Sequence, residues 1–298
     1  MILCIGEILA DMIGEVNGKK VKYERKAGGA PFNVACGLKK FGCDVKFCGS
    51  VGDDLIGNFL IDFANEFGLD TENIKKCKDK NTTLAFVELN EEGERSFCFY
   101  RKNTADYDMP PVSNELIEKV DTVVVGSLML ADEKCVDYAL DIIDRAHALG
   151  KRVAFDVNFR TDVFRSLTHA IKTYKTVLEK ADIVKFSEDE VEIFGRDYIE
   201  SALKEKLVLI SLGGAGSEWR YFGKSERVPS ISVKPIDTTG AGDAFFAGVL
   251  SRLDKESEFS EKIFSKALRF GNISGALNTL GKGAIDNLPD IETIKNYL

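Results

Sequence analysis

Residues 237–248 read Asp237-Thr238-Thr239-Gly240-Ala241-Gly242-Asp243-Ala244-Phe245-Phe246-Ala247-Gly248. This motif follows a strand-like run at residues 232–236 and leads into an apolar segment with helical spacing at residues 244–253. The glycine-rich turn is therefore predicted to lie where a loop becomes a helix. The first backbone N–H groups of a helix lack intrahelical partners and carry the positive end of the helix dipole. The turn is thus predicted to bind an anion.

Asp243 lies one residue beyond this predicted anion site. A carboxylate beside a phosphate repels it and is a poor anchor, but it can accept a proton from an incoming hydroxyl. An anion site with an adjacent base is the minimum apparatus for phosphoryl transfer to an alcohol. The alternative is a glycine-rich turn in which Asp243 is an ordinary first-turn helix acid, and the rest of the chain must decide between the two.

Composition limits the classes of function. The chain has 298 residues, 44% of them hydrophobic, which is enough for a large core. A net charge of −8 argues against a general nucleic-acid or anionic-membrane surface. The N-terminus lacks the basic region of a signal peptide, and no run approaches membrane-spanning length. The seven scattered cysteines contain no Cys-x-x-Cys pair, so we expect reduced thiols and a cytoplasmic location.

The order of strand-like and helical segments predicts an α/β fold. Most of the chain alternates between the two, which indicates a mostly parallel sheet covered by helices on both faces. Two hairpins interrupt this rhythm, one around Asn17-Gly18 and one around residues 90–94. We expect them to form a small sheet that covers the main domain as a lid. The predicted lid comprises residues 12–27 and 81–103, and the α/β domain comprises residues 1–11, 28–80 and 104–298.

Polar residues recur where the predicted strands end, at Asp11 and residues 156–160, 187–190 and 213–216. Ligands of open α/β sheets gather at the carboxyl ends of the strands, so one cleft is expected to collect these residues. Several nucleotide motifs are absent from the sequence. There is no Gly-x-x-x-x-Gly-Lys-[Ser/Thr] loop, no dinucleotide fingerprint in the first βα unit, and no protein-kinase His-Arg-Asp or Asp-Phe-Gly.

These features together resemble the ribokinase-like (PfkB) carbohydrate kinases along nearly the whole chain. Residues 237–248 are similar to the family's C-terminal signature and residues 27–57 to its N-terminal signature. The resemblance implies a ribokinase-like three-layer sandwich with a small β-sheet lid. It also implies phosphoryl transfer from ATP, with Mg²⁺, to a sugar hydroxyl.

The resemblance also implies roles for individual residues. Asp243 would be the catalytic base, with an anion hole formed by Gly240, Ala241 and Gly242. The residues expected to bind the sugar are Asp11, Gly28, Gly29, Asn33, Tyr100, Arg101 and Arg160. The residues expected to bind the nucleotide are Asn158, Ser187, Ser211, Gly213, Gly214, Gly216 and Asn272. Glu190 would be associated with Mg²⁺, and Asp237 and Thr239 with a monovalent cation such as K⁺. The family often has Asn where this chain has Ser187, which leaves that phosphate contact open.

The nature of the sugar is a finer question. Residues 28–33, 99–101, 156–160 and 185–190 together are similar to bacterial fructokinases, so fructose is the predicted substrate. The 2-keto-3-deoxygluconate kinases share much of this pattern, and Arg101 and Arg160 would be available to pair with a sugar-acid carboxylate. A sugar- or nucleotide-binding regulator without catalysis is a further alternative. We also predict a homodimer through the lid, because Phe86, Phe97, Phe99 and Tyr100 supply more apolar surface than a small sheet can bury.

Overall fold

The computed structural model describes residues 1–17, 20–89, 95–160, 163–164, 166–254, 256 and 258–298. Within these residues, thirteen strands alternate with ten α-helices. The strands are β1 (Ile2–Ile5), β2 (Leu9–Asn17), β3 (Lys20–Gly28), β4 (Val45–Gly52), β5 (Ile74–Cys77), β6 (Leu84–Leu89), β7 (Arg95–Tyr100), β8 (Thr122–Val125), β9 (Arg152–Asp156), β10 (Ile183–Ser187), β11 (Leu207–Ser211), β12 (Ser217–Tyr221) and β13 (Lys224–Val228). The helices are α1 (Ala30–Lys40), α2 (Leu55–Glu66), α3 (Asn114–Lys119), α4 (Glu133–Ala148), α5 (Leu167–Leu178), α6 (Glu188–Phe194), α7 (Arg196–Ala202), α8 (Ala241–Leu253), α9 (Glu261–Asn278) and α10 (Ile291–Lys295).

The main sheet has nine strands in the order β13-β12-β11-β10-β9-β8-β1-β4-β5. All neighbouring pairs from β11 to β5 are parallel, and β12 and β13 add an antiparallel edge. The strands carry apolar side chains on both faces: Ile2 and Cys4 enter one core, and Leu3 and Ile5 enter the other. A sheet buried on both faces needs helices on both sides. The result is the predicted three-layer α/β/α arrangement.

The two cores divide the helices between the faces of the sheet. One core contains buried residues of α1, α2, α8, α9 and α10, and the other contains buried residues of α3, α4, α5, α6 and α7. Helix α8 packs most extensively against α9 and also against α1. The packing of α8 against α1 brings the two glycine-rich helix starts, at Gly29 and Gly240, to the same region of the molecule.

A second, four-stranded sheet has the order β3-β2-β6-β7. Its two antiparallel pairs, β2 with β3 and β6 with β7, are joined by parallel pairing of β2 with β6. This is the small sheet expected from the two hairpins, although β2 begins earlier than the predicted lid, at Leu9. Gly18 and residues 90–94, where the sequence predicts the hairpin turns, lie outside the described residues. The lid boundaries at 12–27 and 81–103 stay a prediction.

Several elements were wrong or missing in the sequence-based prediction. The run at residues 232–236 is not a strand; it has no regular structure and instead lines a cavity beside α8. Pro235 lacks the N–H that a ladder would need. The strands β5, β12 and β13 were not predicted, because short, mostly polar edge strands such as β13 carry little alternation of apolar residues. Among the helices of the described chain, none is long and apolar enough to cross a membrane.

Candidate active site

A cavity of about 340 Å³ lies between the carboxyl ends of the main-sheet strands and the lid. We call it the central cavity, and its wall includes many of the residues that the sequence predicted to act together. Those on its wall are Asp11, Gly29, Asn33, Asn158, Arg160, Ser187, Glu190, Thr239, Gly240, Gly242 and Asp243. Glu7, Leu9, Leu128 and Lys185 also line it, although the sequence had not assigned them a role, and so does Phe99, which the sequence had assigned to the dimer interface of the lid.

A second cavity, of about 450 Å³, adjoins the start of α8. Its wall includes five residues expected to bind the nucleotide, which are Ser211, Gly213, Gly214, Gly216 and Asn272. Gly216 has a φ of 105°, and a Cβ atom at this position would lie 2.2 Å from the carbonyl oxygen of Val228, so only glycine fits. Asn272 Nδ2 donates a hydrogen bond to the same carbonyl at 2.8 Å. Thr238 and Gly242 line both cavities, which therefore meet at the glycine-rich turn.

The turn itself is held in an unusual backbone conformation. Gly240 has a φ of 71°, and a Cβ atom there would lie 2.6 Å from Cα of Ala284. Asp237 fixes the preceding loop: its Oδ1 accepts from the N–H and hydroxyl of Thr239, at 2.8 and 2.7 Å, and its Oδ2 accepts from the N–H of Gly283 at 2.9 Å. The start of α8 is thus pinned to residues 283–284, with its N-terminal dipole directed to the junction of the two cavities.

Asp243, in the first turn of α8, is partly buried and lines the central cavity. Asn33 Nδ2 donates to its Oδ2 at 2.8 Å. Burial raises the pKa of Asp243. The hydrogen bond from Asn33 and the charges of Lys185 and Arg160 lower the pKa, but by less than burial raises it. A carboxylate with a raised pKa is a stronger base, which suits proton abstraction from a hydroxyl. Asp243 can therefore accept a proton from a hydroxyl that enters the central cavity.

Asn33 is presented by the start of α1. The helix begins after Gly29, which has a φ of 109° and no side chain to cap it; Glu7 Oε1 instead accepts from the N–H of Ala30 at 3.1 Å. Asn33 Oδ1 is buried and has no hydrogen-bond partner among the residues that the structure describes. A buried acceptor of this kind needs a donor, and a ligand hydroxyl in the central cavity would supply one.

Asp11 brings a second carboxylate close to Asp243. Burial and the charge of Asp243 raise the pKa of Asp11 to about 7, and the charge of Arg160 opposes this rise. Gly28 lies directly behind Asp11, since a Cβ atom at position 28 would be 2.1 Å from Asp11 Oδ2. The glycine therefore makes room for the carboxylate. Asp11 thus lies on the wall of the central cavity, with Gly28 behind it.

Tyr100 and Arg101 are the sugar-site predictions that the structure does not bring to the central cavity. Tyr100 is 62% exposed and packs its ring against Phe86. The buried guanidinium of Arg101 donates to Asp106 Oδ2 at 2.5 Å and to the carbonyl of Leu128 at 2.7 Å. Both residues line a separate, larger cavity, and the Phe99 side chain lies between the two cavities.

Glu190 is held by the start of α6. Its Oε1 accepts from the N–H of Phe159 at 2.6 Å, and its Oε2 accepts from the N–H of Ser187 at 2.7 Å. The Ser187 hydroxyl accepts from the N–H of Glu190 in return, which completes a capping box. Ser187, which stands where the family often has Asn, thus fixes the Glu190 carboxylate at the cavity wall. Asn158, with a φ of 34°, lies on the same wall.

Comparison with known proteins identifies the family and the fold. The model of the pfkB family of carbohydrate kinases matches residues 1–291. The chain belongs to this family. This carbohydrate kinase is 35% identical to the probable fructokinase-5 of Arabidopsis thaliana over 97% of this chain and 94% of that protein. It is 34% identical to the fructokinase of Vibrio alginolyticus over 95% and 94% of the two chains.

A solved structure supports the same conclusion. A double mutant of fructokinase from Vibrio cholerae O395, in its fructose-, ADP- and potassium-bound form, matches this kinase with a TM-score of 0.90 and 30% identity. The match covers 100% of this chain and 97% of that one. The sequence-based predictions of an α/β ribokinase-like fold, of the family and of an ATP-dependent sugar kinase are confirmed.

Proposed function

We propose that this kinase transfers the γ-phosphoryl group of ATP to the 6-hydroxyl of fructose. The observation that carries the proposal is the position of Asp243, a partly buried carboxylate that is held by Asn33 and lies beside the turn where the two cavities meet. The second cavity would hold the nucleotide, and the central cavity would hold the sugar. The similarity to fructokinases in sequence and in structure supports fructose as the acceptor.

The chemical step follows from this arrangement. The sugar hydroxyl oxygen forms a bond to the γ-phosphorus, and the bond from that phosphorus to the β,γ-bridging oxygen breaks, leaving ADP. Asp243 takes the hydroxyl proton as the new bond forms. Backbone N–H groups at Gly240, Ala241 and Gly242 would stabilise the charge on the phosphoryl oxygens. Asp11 and the unsatisfied Oδ1 of Asn33 would accept hydrogen bonds from other sugar hydroxyls.

Two metal sites belong to the proposal. Bound Mg²⁺ would neutralise charge on the nucleotide phosphates. Glu190 fits such an ion, since each of its oxygens accepts one backbone N–H and retains a further lone pair for a metal-bound water. A monovalent cation such as K⁺ would lie by the loop that Asp237 and Thr239 organise, behind the anion hole.

The charges around the central cavity favour a neutral sugar over a sugar acid. Among the described residues that line it, the acids are Glu7, Asp11, Glu190 and Asp243, and the bases are Arg160 and Lys185. The Lys185 ammonium is paired with Asp156, and the Arg101 guanidinium is paired with Asp106. A substrate carboxylate would add a negative charge beside Asp11 and Asp243 and would depend mainly on Arg160. The position of Arg160 keeps 2-keto-3-deoxygluconate as the second candidate.

We also propose a cytoplasmic homodimer that assembles through the lid. Tyr23, Phe86 and Tyr100 form a continuous aromatic cluster on one face of the small sheet, and Tyr23 and Tyr100 are 39% and 62% exposed. An exposed apolar cluster of this kind is typical of a protein interface. All seven cysteines are free, which agrees with a reducing compartment.

A screen of acceptors tests the proposed function. ADP release would be measured by a coupled assay with saturating MgATP and fructose, 2-keto-3-deoxygluconate, ribose, tagatose or adenosine as acceptor. We expect the highest kcat/KM with fructose. A higher kcat/KM with the sugar acid would replace fructose by the second candidate. Sugar and nucleotide binding without turnover on any acceptor would favour the non-catalytic regulator.

A further inference from the structure

Lys185 is a buried cation at the junction of the two cavities. It lies in β10, and its side chain is only 7% exposed. Its Nζ donates to both oxygens of Asp156, at 2.8 and 2.9 Å. Burial alone would lower the pKa of Lys185, but the charges of Asp156, Glu190 and Asp243 outweigh it and raise the pKa. The ammonium is therefore charged at neutral pH.

The main sheet itself builds this ion pair. Strands β9 and β10 are parallel neighbours, and their register places Lys185 directly beside Asp156. Asp156 is 6% exposed, so its carboxylate is shielded from water and has the lysine as its principal charged partner. A pair fixed by strand register cannot slip without shifting the whole strand. The position of Nζ is therefore set before any ligand binds.

The ammonium lies against the glycine-rich turn of α8. A Cβ atom at position 242 would be 3.1 Å from Lys185 Nζ, so the cation lies close to the glycine that belongs to the predicted anion hole. A lysine ammonium has three N–H donors, and the two oxygens of Asp156 accept two of them. The geometry leaves one donor to be directed past Gly242 into the central cavity, which Lys185 lines.

The acidic side chains around the central cavity would repel a phosphate group, so a cation beside Gly242 would favour its binding. The γ-phosphate of ATP must approach Asp243, Glu190 and Asp11, all of them acidic. The N-terminus of α8 supplies only about half a positive charge. The Lys185 ammonium beside Gly242 would offset part of this repulsion, since it keeps a donor for the phosphoryl group while it is paired with Asp156.

We propose that Lys185 donates its third N–H to the γ-phosphoryl group, and that Asp156 is the positioning residue that aims it. The inference rests on the proposed function and adds to it a residue that binds the γ-phosphate. Lys185 keeps its proton throughout the step. The hydroxyl proton goes to Asp243, the new bond forms between the sugar oxygen and phosphorus, and ADP carries away the bridging oxygen.

Nucleotide binding without turnover is the most direct test. Calorimetry would compare the non-hydrolysable ATP analogue AMP-PNP with ADP, each with Mg²⁺, on wild type and on Lys185→Met. A charge-assisted hydrogen bond predicts a loss of roughly 10- to 100-fold in AMP-PNP affinity, with ADP affinity nearly unchanged. Lys46→Met is the matched control, because Lys46 also pairs with an aspartate, Asp70, at the start of a strand outside both cavities. Equal loss of both nucleotides, or loss of neither, would overturn the proposal.

Asp156 is tested by a double-mutant cycle. Asp156→Asn alone should lower the ratio of AMP-PNP affinity to ADP affinity. When Lys185→Met is already present, adding Asp156→Asn should not change that ratio further. A purely structural pair would lower the unfolding free energy without moving the ratio. The double variant carries no unpaired buried charge, so it decides the question if Lys185→Met alone does not fold.

The binding readout separates this inference from the proposed function. A wild type that binds AMP-PNP more tightly than Lys185→Met but phosphorylates none of the sugars would refute the proposed function and leave Lys185 as a γ-phosphate contact. If the wild type phosphorylates fructose but Lys185→Met has the same ratio of AMP-PNP affinity to ADP affinity as the wild type, only the role of Lys185 is refuted.

Discussion

Arg101→Ala should destabilise the protein because it breaks a buried ion pair at the base of the lid. The side chains of Arg101 and Asp106 are 4% and 0% exposed, and their Nε and Oδ2 atoms are 2.5 Å apart. The guanidinium also lies 4.2 Å above the ring of Tyr107 and donates to the carbonyl of Leu128. Removing one partner of such a pair leaves the other charge buried, which typically costs about 3–5 kcal/mol.

The expected loss can be measured by urea denaturation. Trp219 is the single tryptophan and is buried in one of the two cores, so its fluorescence reports unfolding of the main domain. We expect the unfolding free energy to fall by about 3–5 kcal/mol in Arg101→Ala and to recover in part in Arg101→Met/Asp106→Asn, which leaves no unpaired charge. The KM for the sugar should rise with the KM for ATP unchanged, because Leu128 lines the central cavity.

An exposed ion pair provides the control. Arg196, the first residue of α7, pairs with Glu192 of α6, and their side chains are 51% and 65% exposed. We expect Arg196→Ala to cost no more than about 0.5 kcal/mol. If Arg101→Ala costs as little as Arg196→Ala, the buried pair does not stabilise the base of the lid. If Arg101→Ala instead abolishes activity on a sugar acid alone, Arg101 binds a substrate carboxylate.

Three further predictions concern catalysis, pH and assembly. Asp243→Asn should keep the fold, since its amide oxygen can still accept from Asn33, and lower kcat by about 10²–10⁴-fold; wild-type turnover in the folded variant would remove Asp243 from the mechanism. Burial raises the pKa of Glu7 to about 7, so folding retains a proton that the unfolded chain releases, and stability falls as pH rises through this range. Glu7→Gln should match wild type near pH 4.5 and be more stable by at most about 3 kcal/mol near pH 8 in urea denaturation; an equal difference at both pH values would contradict this. Light scattering should give a dimer mass that Phe86→Ser or Tyr100→Ser lowers, and a monomeric wild type would refute the lid interface.

The elements around the glycine-rich motif could be predicted because local sequence determines them. Helix α8 begins at Ala241 because Gly240 takes a positive φ and an apolar segment at helical spacing follows. The same reasoning placed Asp243 beside an anion site. The hydrogen bond between Asn33 and Asp243, which are 210 residues apart, was not predicted; only the family resemblance had assigned both residues to the active site.

Side chains whose role depends on strand register could not be predicted in this way. Phe99 lines the central cavity and Tyr100 does not, because adjacent residues of a strand point to opposite faces. The register of β6 and β7, which pairs Ala85 with Phe99, determines which of the two side chains faces the cavity. This register cannot be derived from the sequence. Lys185 was overlooked for the same reason, since its partner Asp156 becomes its neighbour only through the register of β9 and β10.

Phosphorus NMR of a reaction with MgATP and fructose tests the central claim most directly. The account predicts that the ATP signals are replaced by ADP and an equal amount of fructose 6-phosphate, and that Asp243→Asn slows both changes together. Release of ADP with inorganic phosphate, or no consumption of ATP under conditions where the protein binds both ligands, would contradict it.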